Sequence, residues 1–133
     1  MKLSSFLRKQ FSFFVCLCYN GKRSDVMKKE LLSPVGNWNS LVEAIHNGCD
    51  AVYLGGKKFG ARAFADNFSE EELIKAIKYC HLYGVKIYVT VNTMIYETEL
   101  EDCLNYIRVL HKNNVDAIIM QDLGLIKLVR DKF

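Results

Sequence analysis

The chain has 133 residues, 50% of them hydrophobic and 12% aromatic, enough for one compact domain with a real core and too apolar for intrinsic disorder. Its net charge of +3 is unevenly held: residues 1–26 carry five basic side chains against one acidic, and residues 27–133 carry 13 basic against 14 acidic. A nearly neutral folded part gives no domain-wide electrostatic footprint for nucleic acid, though it leaves room for a local basic site.

The first 26 residues read differently from the rest. A basic start leads into an apolar run, Phe11-Ser-Phe-Phe-Val-Cys-Leu-Cys-Tyr19, and then into polar Asn20-Gly-Lys-Arg-Ser-Asp25. The run lacks a small-x-small cleavage site and is too short to span a bilayer. The expectation is an unstructured leader or a start-site artefact, with translation beginning at Met27, and no membrane span. A targeting or membrane-surface segment and a structured arm are the other readings of this stretch.

From residue 30 the chain alternates strand and helix four times. Leu31-Leu-Ser33 reads as a short strand ending at Pro34, which cannot donate to a sheet. Asn37 is placed to cap a helix with Leu41, Ala44 and Ile45 on one face, and Gly48 closes it. Ala51-Val-Tyr-Leu54 is the second strand, ending at Gly55 and Gly56. Ser69-Glu-Glu-Glu72 is a capping box, with Phe68 positioned to staple onto Leu73. The helix it opens has its stripe at Leu73, Ile77 and Cys80, and Gly84 stops it. Lys86-Ile-Tyr-Val-Thr-Val-Asn92 is rich in β-branched and aromatic residues and reads as the third strand. The third helix is acidic from Glu97 onward and basic at its end (Arg108, His111, Lys112), which complements the helix dipole. Ala117-Ile-Ile-Met120 is the fourth strand, and Asp122 is placed to cap a last helix through Leu125, Leu128 and Val129.

A repeat supports this order. Asn47-Gly-Cys-Asp-Ala-Val52 and Asn113-Asn-Val-Asp-Ala-Ile118 share one pattern: a helix stop, then Asp-Ala, then an apolar strand. Strand starts at 51, 86 and 117 lie 35 and 31 residues apart, the spacing of successive βα units. Continuous apolar strands alternating with helices indicate an α/β fold with a parallel sheet covered on both faces. No Gly-x-Gly-x-x-Gly turn follows the first strand, which argues against a dinucleotide-binding sheet. Residues 27–133 amount to about half the length of a complete (β/α)8 barrel. The expected fold is therefore half of a parallel TIM-like barrel with four βα units.

In such a fold chemistry sits at the carboxyl ends of the strands. Those ends are Ser33 and Pro34, Gly55 and Gly56, Asn92 and Thr93, and Gln121 and Asp122. The connection from Gly55 to Phe68 is far longer than such loops usually are. It interleaves Lys57, Lys58 and Arg62 with Phe59, Phe64 and Phe68, so aromatics can tack it to the rim while cations face a ligand. Arg62 has the fork that captures a carboxylate or phosphate. Glu30, beside the first strand, is a candidate for the barrel interior. His46, His81 and His111 fall at or near helix carboxyl ends, where they serve the dipole or the surface. Cys16, Cys18, Cys49, Cys80 and Cys103 form no Cys-x-x-Cys pair and read as reduced thiols of a cytoplasmic protein, with no metal role. No Ser-His-Asp, Cys-His or His-Glu-x-x-His arrangement is present.

Several stretches together carry a resemblance. Glu30-Leu-Leu-Ser-Pro-Val-Gly36, Asp50-Ala-Val-Tyr-Leu-Gly-Gly56, Phe59-Gly-Ala-Arg-Ala-Phe64, Asn67-Phe68 and Val85-Lys-Ile-Tyr-Val-Thr-Val-Asn-Thr93 resemble the amino-terminal part of the U-thirty-two family of collagenase-like peptidases, from about Met27 onward. The resemblance implies a barrel-like fold, a bacterial cytoplasmic protein, and peptidases of unknown catalytic type. It also implies relatives that hydroxylate RNA bases or quinone precursors, with an iron–sulfur cluster held by cysteines of a carboxyl-terminal half. None of the five cysteines here matches that cluster, so no cofactor is expected in this chain. Glu30, Gly55, Gly56, Arg62 and Asn92 carry over as members of the pocket rim, and Asp122 joins them as a strand-end carboxylate.

Three functional expectations follow. The first is a truncated peptidase-like protein, inactive alone, whose partner is the missing carboxyl-terminal half and whose substrate is a peptide. The second is part of an enzyme that hydroxylates bases of tRNA or rRNA, in which the loop cations meet phosphate. The third is a non-catalytic fragment that self-associates through its open sheet edges.

Overall fold

The four apolar runs become strands because β-branched and aromatic side chains suit a pleated surface buried on one side or both. The computed structural model describes residues 29–61 and 67–133. It contains β1 (Leu32–Pro34), α1 (Trp38–His46), β2 (Ala51–Gly55), α2 (Glu70–Leu82), β3 (Lys86–Val91), α3 (Leu100–Lys112), β4 (Ala117–Met120) and α4 (Leu123–Lys132). The strands form one parallel sheet in the order β1-β2-β3-β4. This is the expected α/β class with four βα units, and its sequential parallel order is consistent with part of a β/α barrel.

Side chains alternate between the two faces of each strand, and that parity divides the core. Val52, Leu54, Ile87, Val89 and Val91 are all but fully buried against Leu41, Leu73, Ile77, Ile107 and Leu110 of the helices. Burial of each such side chain stabilises the fold by about 1.5–3 kcal/mol. The opposite face is smaller: Ala51, Tyr88 and Ile119 are buried there, with Tyr53 and Ala117 packed beside them.

Local signals fix the corners. Asn37 caps α1 in a reciprocal box with Ser40, whose amide donates to Asn37 Oδ1 at 2.9 Å while its Oγ accepts from the Asn37 amide at 3.1 Å. The Ser69–Glu72 box at α2 is likewise formed, and the Phe68 and Leu73 pair beside it is buried. The repeated segment now has a physical reading. Gly48 (φ +82°) and Asn114 (φ +61°) take the same left-handed turn after α1 and α3, a conformation open to Gly and tolerated by Asn. The repeated aspartates then hold strand starts: Asp50 accepts from the Leu31 amide at 2.8 Å and Asp116 from the Ile87 amide at 2.9 Å.

Two boundaries differ from the sequence reading. β1 includes Pro34, because the next amide, that of Val35, donates to the Tyr53 carbonyl at 2.9 Å. The donor that proline lacks therefore faces the open edge. The acidic run at Glu97 does not begin α3; Glu97–Glu99 is a 3-10 turn, drawn tight by the Tyr96 amide donating to Glu99 Oε2. No helix among the described residues is long and apolar enough to cross a membrane.

One close approach couples the sheet to α3. Gly56 is buried against the Tyr106 side chain, and a Cβ at this position would overlap the Tyr106 hydroxyl and press on Leu73. Gly56→Ala is expected to cost about 1–3 kcal/mol by overpacking, with most of the loss recovered when Tyr106→Phe is added. Urea unfolding of the two variants measures this; a Gly56→Ala chain as stable as the parent refutes the packing account.

Candidate functional site

Strand parity also decides what faces the rim. Tyr53 and Gly55 on β2 share a face with Thr90 on β3 and with Asn92 just beyond it, and β2 and β3 are paired in register there. These residues, with Leu54, Gly60 and Asn67, line a cleft of about 70 Å3 at the carboxyl ends of the two strands. Its polar groups are amides and hydroxyls, all neutral. Gly55 keeps it open: a Cβ there would stand 3.1 Å from Thr90 Oγ1 and 3.4 Å from Asn67 Oδ1.

The long connection after β2 is fastened to this rim by the strand that follows. Asn92 Oδ1 accepts from the Ala61 amide at 2.9 Å, and Thr93 Oγ1 donates to the Phe59 carbonyl at 3.2 Å. The connection returns on itself, with the Lys57 amide donating to the Phe68 carbonyl at 3.0 Å and the Phe68 amide to the Gly55 carbonyl at 3.2 Å. Gly56 and Phe68 thus form a parallel bridge. Phe59, at φ +59°, lays its ring 5.9 Å from that of Tyr106, so this aromatic does tack the loop down. Arg62 and Phe64 lie outside the described residues.

Of the residues expected at the rim, Gly55 and Asn92 line the cleft, whereas Gly56 packs on Tyr106 instead. Asp122 stands at the same end of the sheet but faces backbone: its Oδ1 accepts from the Gly124 and Leu125 amides at 2.9 and 3.0 Å, and its Oδ2 from the Ile95 amide at 3.3 Å. It ties the loop after β3 to the start of α4. Those amides, that of Leu125 first, hold its carboxyl below the ordinary aspartate range.

Glu30 does not join the rim. It precedes β1, at the amino-terminal end of the strands, and accepts from Lys86 Nζ at 2.6 Å and from the Tyr88 hydroxyl at 2.7 Å. Tyr88 belongs to the face turned away from the helices. The hydrogen bond from Lys86, then that from Tyr88, lowers the Glu30 carboxyl.

The histidines and cysteines stand apart from the cleft. His81 at the end of α2 pairs with Asp116 at 2.9 Å, also at the amino-terminal end. Cys49, Cys80 and Cys103 are free and buried. Burial pushes the Cys80 thiol up to about 12 and the Cys103 thiol up to about 11, the reverse of what a nucleophile or a metal ligand needs. Among the described residues no three His, Cys, Asp or Glu side chains come together in a way that could hold a metal ion. Sequence reasoning passed over Tyr53, Thr90, Asn67 and Tyr106. The first two were open to a parity argument from Gly55 and Asn92, whereas Tyr106 looks like an ordinary core position on α3.

The comparisons with known proteins fall on this same region. The model of peptidase family U32 matches residues 36–133. The tRNA hydroxylation protein P1 of Bacillus subtilis is 40% identical over 111 residues, which cover 84% of this chain and 26% of that protein. The 23S rRNA 5-hydroxycytidine C2501 synthase of Escherichia coli is 44% identical over 99 residues, 74% of this chain and 15% of the relative. A collagenase of Porphyromonas gingivalis is 40% identical over 96 residues, 71% of this chain and 23% of its own length. The chain thus spans about a quarter or less of the length of these relatives. No solved structure matches it.

The lowered Asp122 carboxyl has a pH consequence. A carboxyl depressed in the folded state contributes stability that is complete above its unfolded pKa and is lost as pH falls through the folded one. Asp122→Ala is therefore expected to cost about 1 kcal/mol at pH 6, the worth of an N-cap, and progressively less below the ordinary aspartate range. Urea midpoints of variant and parent at pH 6 and pH 3 measure this. An equal gap at both values removes Asp122 as the source.

Proposed function

The chain belongs to peptidase family U32, and we propose that within it the chain serves RNA base hydroxylation, its rim cleft receiving a base of tRNA or rRNA. The observation that carries this reading is the composition of the cleft. Two amides (Asn67, Asn92), a threonine hydroxyl and a tyrosine surround a floor opened by Gly55. Amide side chains match the donor and acceptor edges of a heterocycle. Single-stranded RNA is read by drawing unstacked bases onto aromatic rings and hydrogen-bonding their edges. Relatives named for tRNA hydroxylation and for 5-hydroxycytidine synthesis in 23S rRNA point the same way. What the described residues supply on this reading is binding and orientation of the base.

The peptidase reading draws on the collagenase among the relatives. It requires an activated nucleophile or a metal-bound water, and the described cysteines and histidines are buried in the core or stand at the far end of the sheet. The iron–sulfur cluster that family resemblance implies would likewise need ligands other than Cys49, Cys80 and Cys103, since each thiol is enclosed in apolar packing. An RNA substrate agrees with a cytoplasmic setting, in which these thiols stay reduced.

Nucleoside mass spectrometry of tRNA and rRNA from cells lacking the gene tests the proposal. The expected result is loss of a hydroxylated nucleoside, restored by the wild-type gene and restored about ten-fold less by Asn92→Ala, the worth of one base-edge contact. An unchanged nucleoside profile contradicts the proposal.

A further inference from the structure

The cleft is lined by no charged side chain, so what it can distinguish rests on which of its polar atoms still have hydrogen-bonding capacity. An asparagine amide begins with one acceptor oxygen and two N–H donors. The acceptor of Asn92 is already committed, because the Ala61 amide donates to its Oδ1 at 2.9 Å. A backbone N–H can only donate, so this contact also fixes which end of the side chain is oxygen. Nδ2 is the end that remains, and it makes no hydrogen bond among the described residues. Nor is it sealed in: the Tyr106 hydroxyl is the one enclosed side-chain polar atom without a partner among those residues.

Thr90 stands two residues earlier, on the same strand face, and has the opposite character. Its hydroxyl carries one proton, which goes to the Leu54 carbonyl at 3.3 Å, so what it keeps is acceptor capacity. Gly55 leaves it uncovered, since a Cβ there would stand 3.1 Å from Oγ1. Successive residues of one face thus present an acceptor and then a donor. Each is set by a backbone partner, so neither can turn over to exchange its role without giving up a bond.

We propose that Asn92 is a specificity-determining residue, whose Nδ2 donates to a ring carbonyl oxygen of the bound base while its Oδ1 keeps the loop after β2 in place. This rests on the reading of the cleft as a base site and names the atom that reads the base. Thr90 Oγ1 is left to accept from an N–H of the same base. A ring carbonyl is present in three of the four RNA bases and absent from adenine, so adenine is the base that Asn92 rejects. Without a ligand carbonyl Nδ2 is left to water, which is why discrimination falls on this one contact.

The test measures binding of short single-stranded RNAs to the whole chain by fluorescence anisotropy. One strand is all adenosine, one has a single central uridine, and two carry 2-thiouridine or 4-thiouridine there, since sulfur accepts a hydrogen bond more weakly than oxygen. The parent is expected to bind the uridine strand about five- to ten-fold more tightly than the all-adenosine strand and than one of the thio strands, the worth of one hydrogen bond. Asn92→Asp keeps an oxygen for the Ala61 amide and loses the donor, and should bind all four strands alike. Repulsion from the added carboxylate falls on every strand equally and drops out of the comparison. In 15N spectra the Ala61 amide signal of Asn92→Asp should stay near its parent position, and the parent's Asn92 side-chain signal should move with the uridine strand. A parent without preference among the strands, or a preference that Asn92→Asp retains, overturns the donor role and leaves RNA binding standing. Loss of the preference together with the Ala61 signal assigns Asn92 to fastening the loop alone and also overturns it. No RNA binding by the parent sinks the base-site reading and this inference with it.

Discussion

The parallel register of four consecutive strands is the constraint from which the rest follows. Parallel neighbours cannot be joined by tight hairpins, so each connection must carry a helix back along the sheet. Every βα connection then emerges at one end and every αβ connection at the other. The strands must present one apolar face to those helices, and Val52, Leu54, Ile87, Val89 and Val91 do so. Parity turns the alternate residues away from the helices. In this way a packing requirement alone delivers Tyr53, Thr90 and Asn92 to a common face at the carboxyl ends.

The two ends of the sheet resolve the same constraint differently. At the amino-terminal end, carboxylates close on partners from their own chain: Glu30 on Lys86 and Tyr88, Asp50 on the Leu31 amide, Asp116 on the Ile87 amide and His81. Such groups hold strand starts in register. At the carboxyl-terminal end Gly55 of β2, Thr90 of β3 and Asn92 just beyond it line the cleft. Asp122, a carboxylate at that end, is likewise taken up by backbone amides. The amino-terminal end is thus held by side-chain carboxylates, and at the carboxyl-terminal end Asn92 Oδ1 on the Ala61 amide and Thr93 Oγ1 on the Phe59 carbonyl fasten the loop after β2.

Much of this was legible in the sequence because it is local. Capping boxes, glycine stops and apolar periodicity act within a few residues, so Ser69 and Glu72, Gly48, and the stripe through Leu73, Ile77 and Cys80 could be placed directly. The Asp-Ala repeat was visible as a pattern, but its reason was not. A carboxylate reaching an amide near the start of a neighbouring strand spans 19 residues in one case and 29 in the other. The same limit applied to Glu30, whose place beside the first strand was readable but whose partners depend on where Lys86 and Tyr88 arrive. Tyr106 was least legible. On α3 it is one more buried position, and only the docking of that helix shows that its hydroxyl packs on Gly56.

The central claim is that an RNA base lies at the carboxyl ends of β2 and β3. Photo-crosslinking a single-stranded RNA that carries 4-thiouridine to the chain, followed by peptide mass spectrometry, tests this most directly. The account predicts crosslinks at Tyr53 and within residues 55–61. Crosslinks confined to the end of the sheet that holds Glu30 and Lys86, or to the outer faces of the helices, would contradict it.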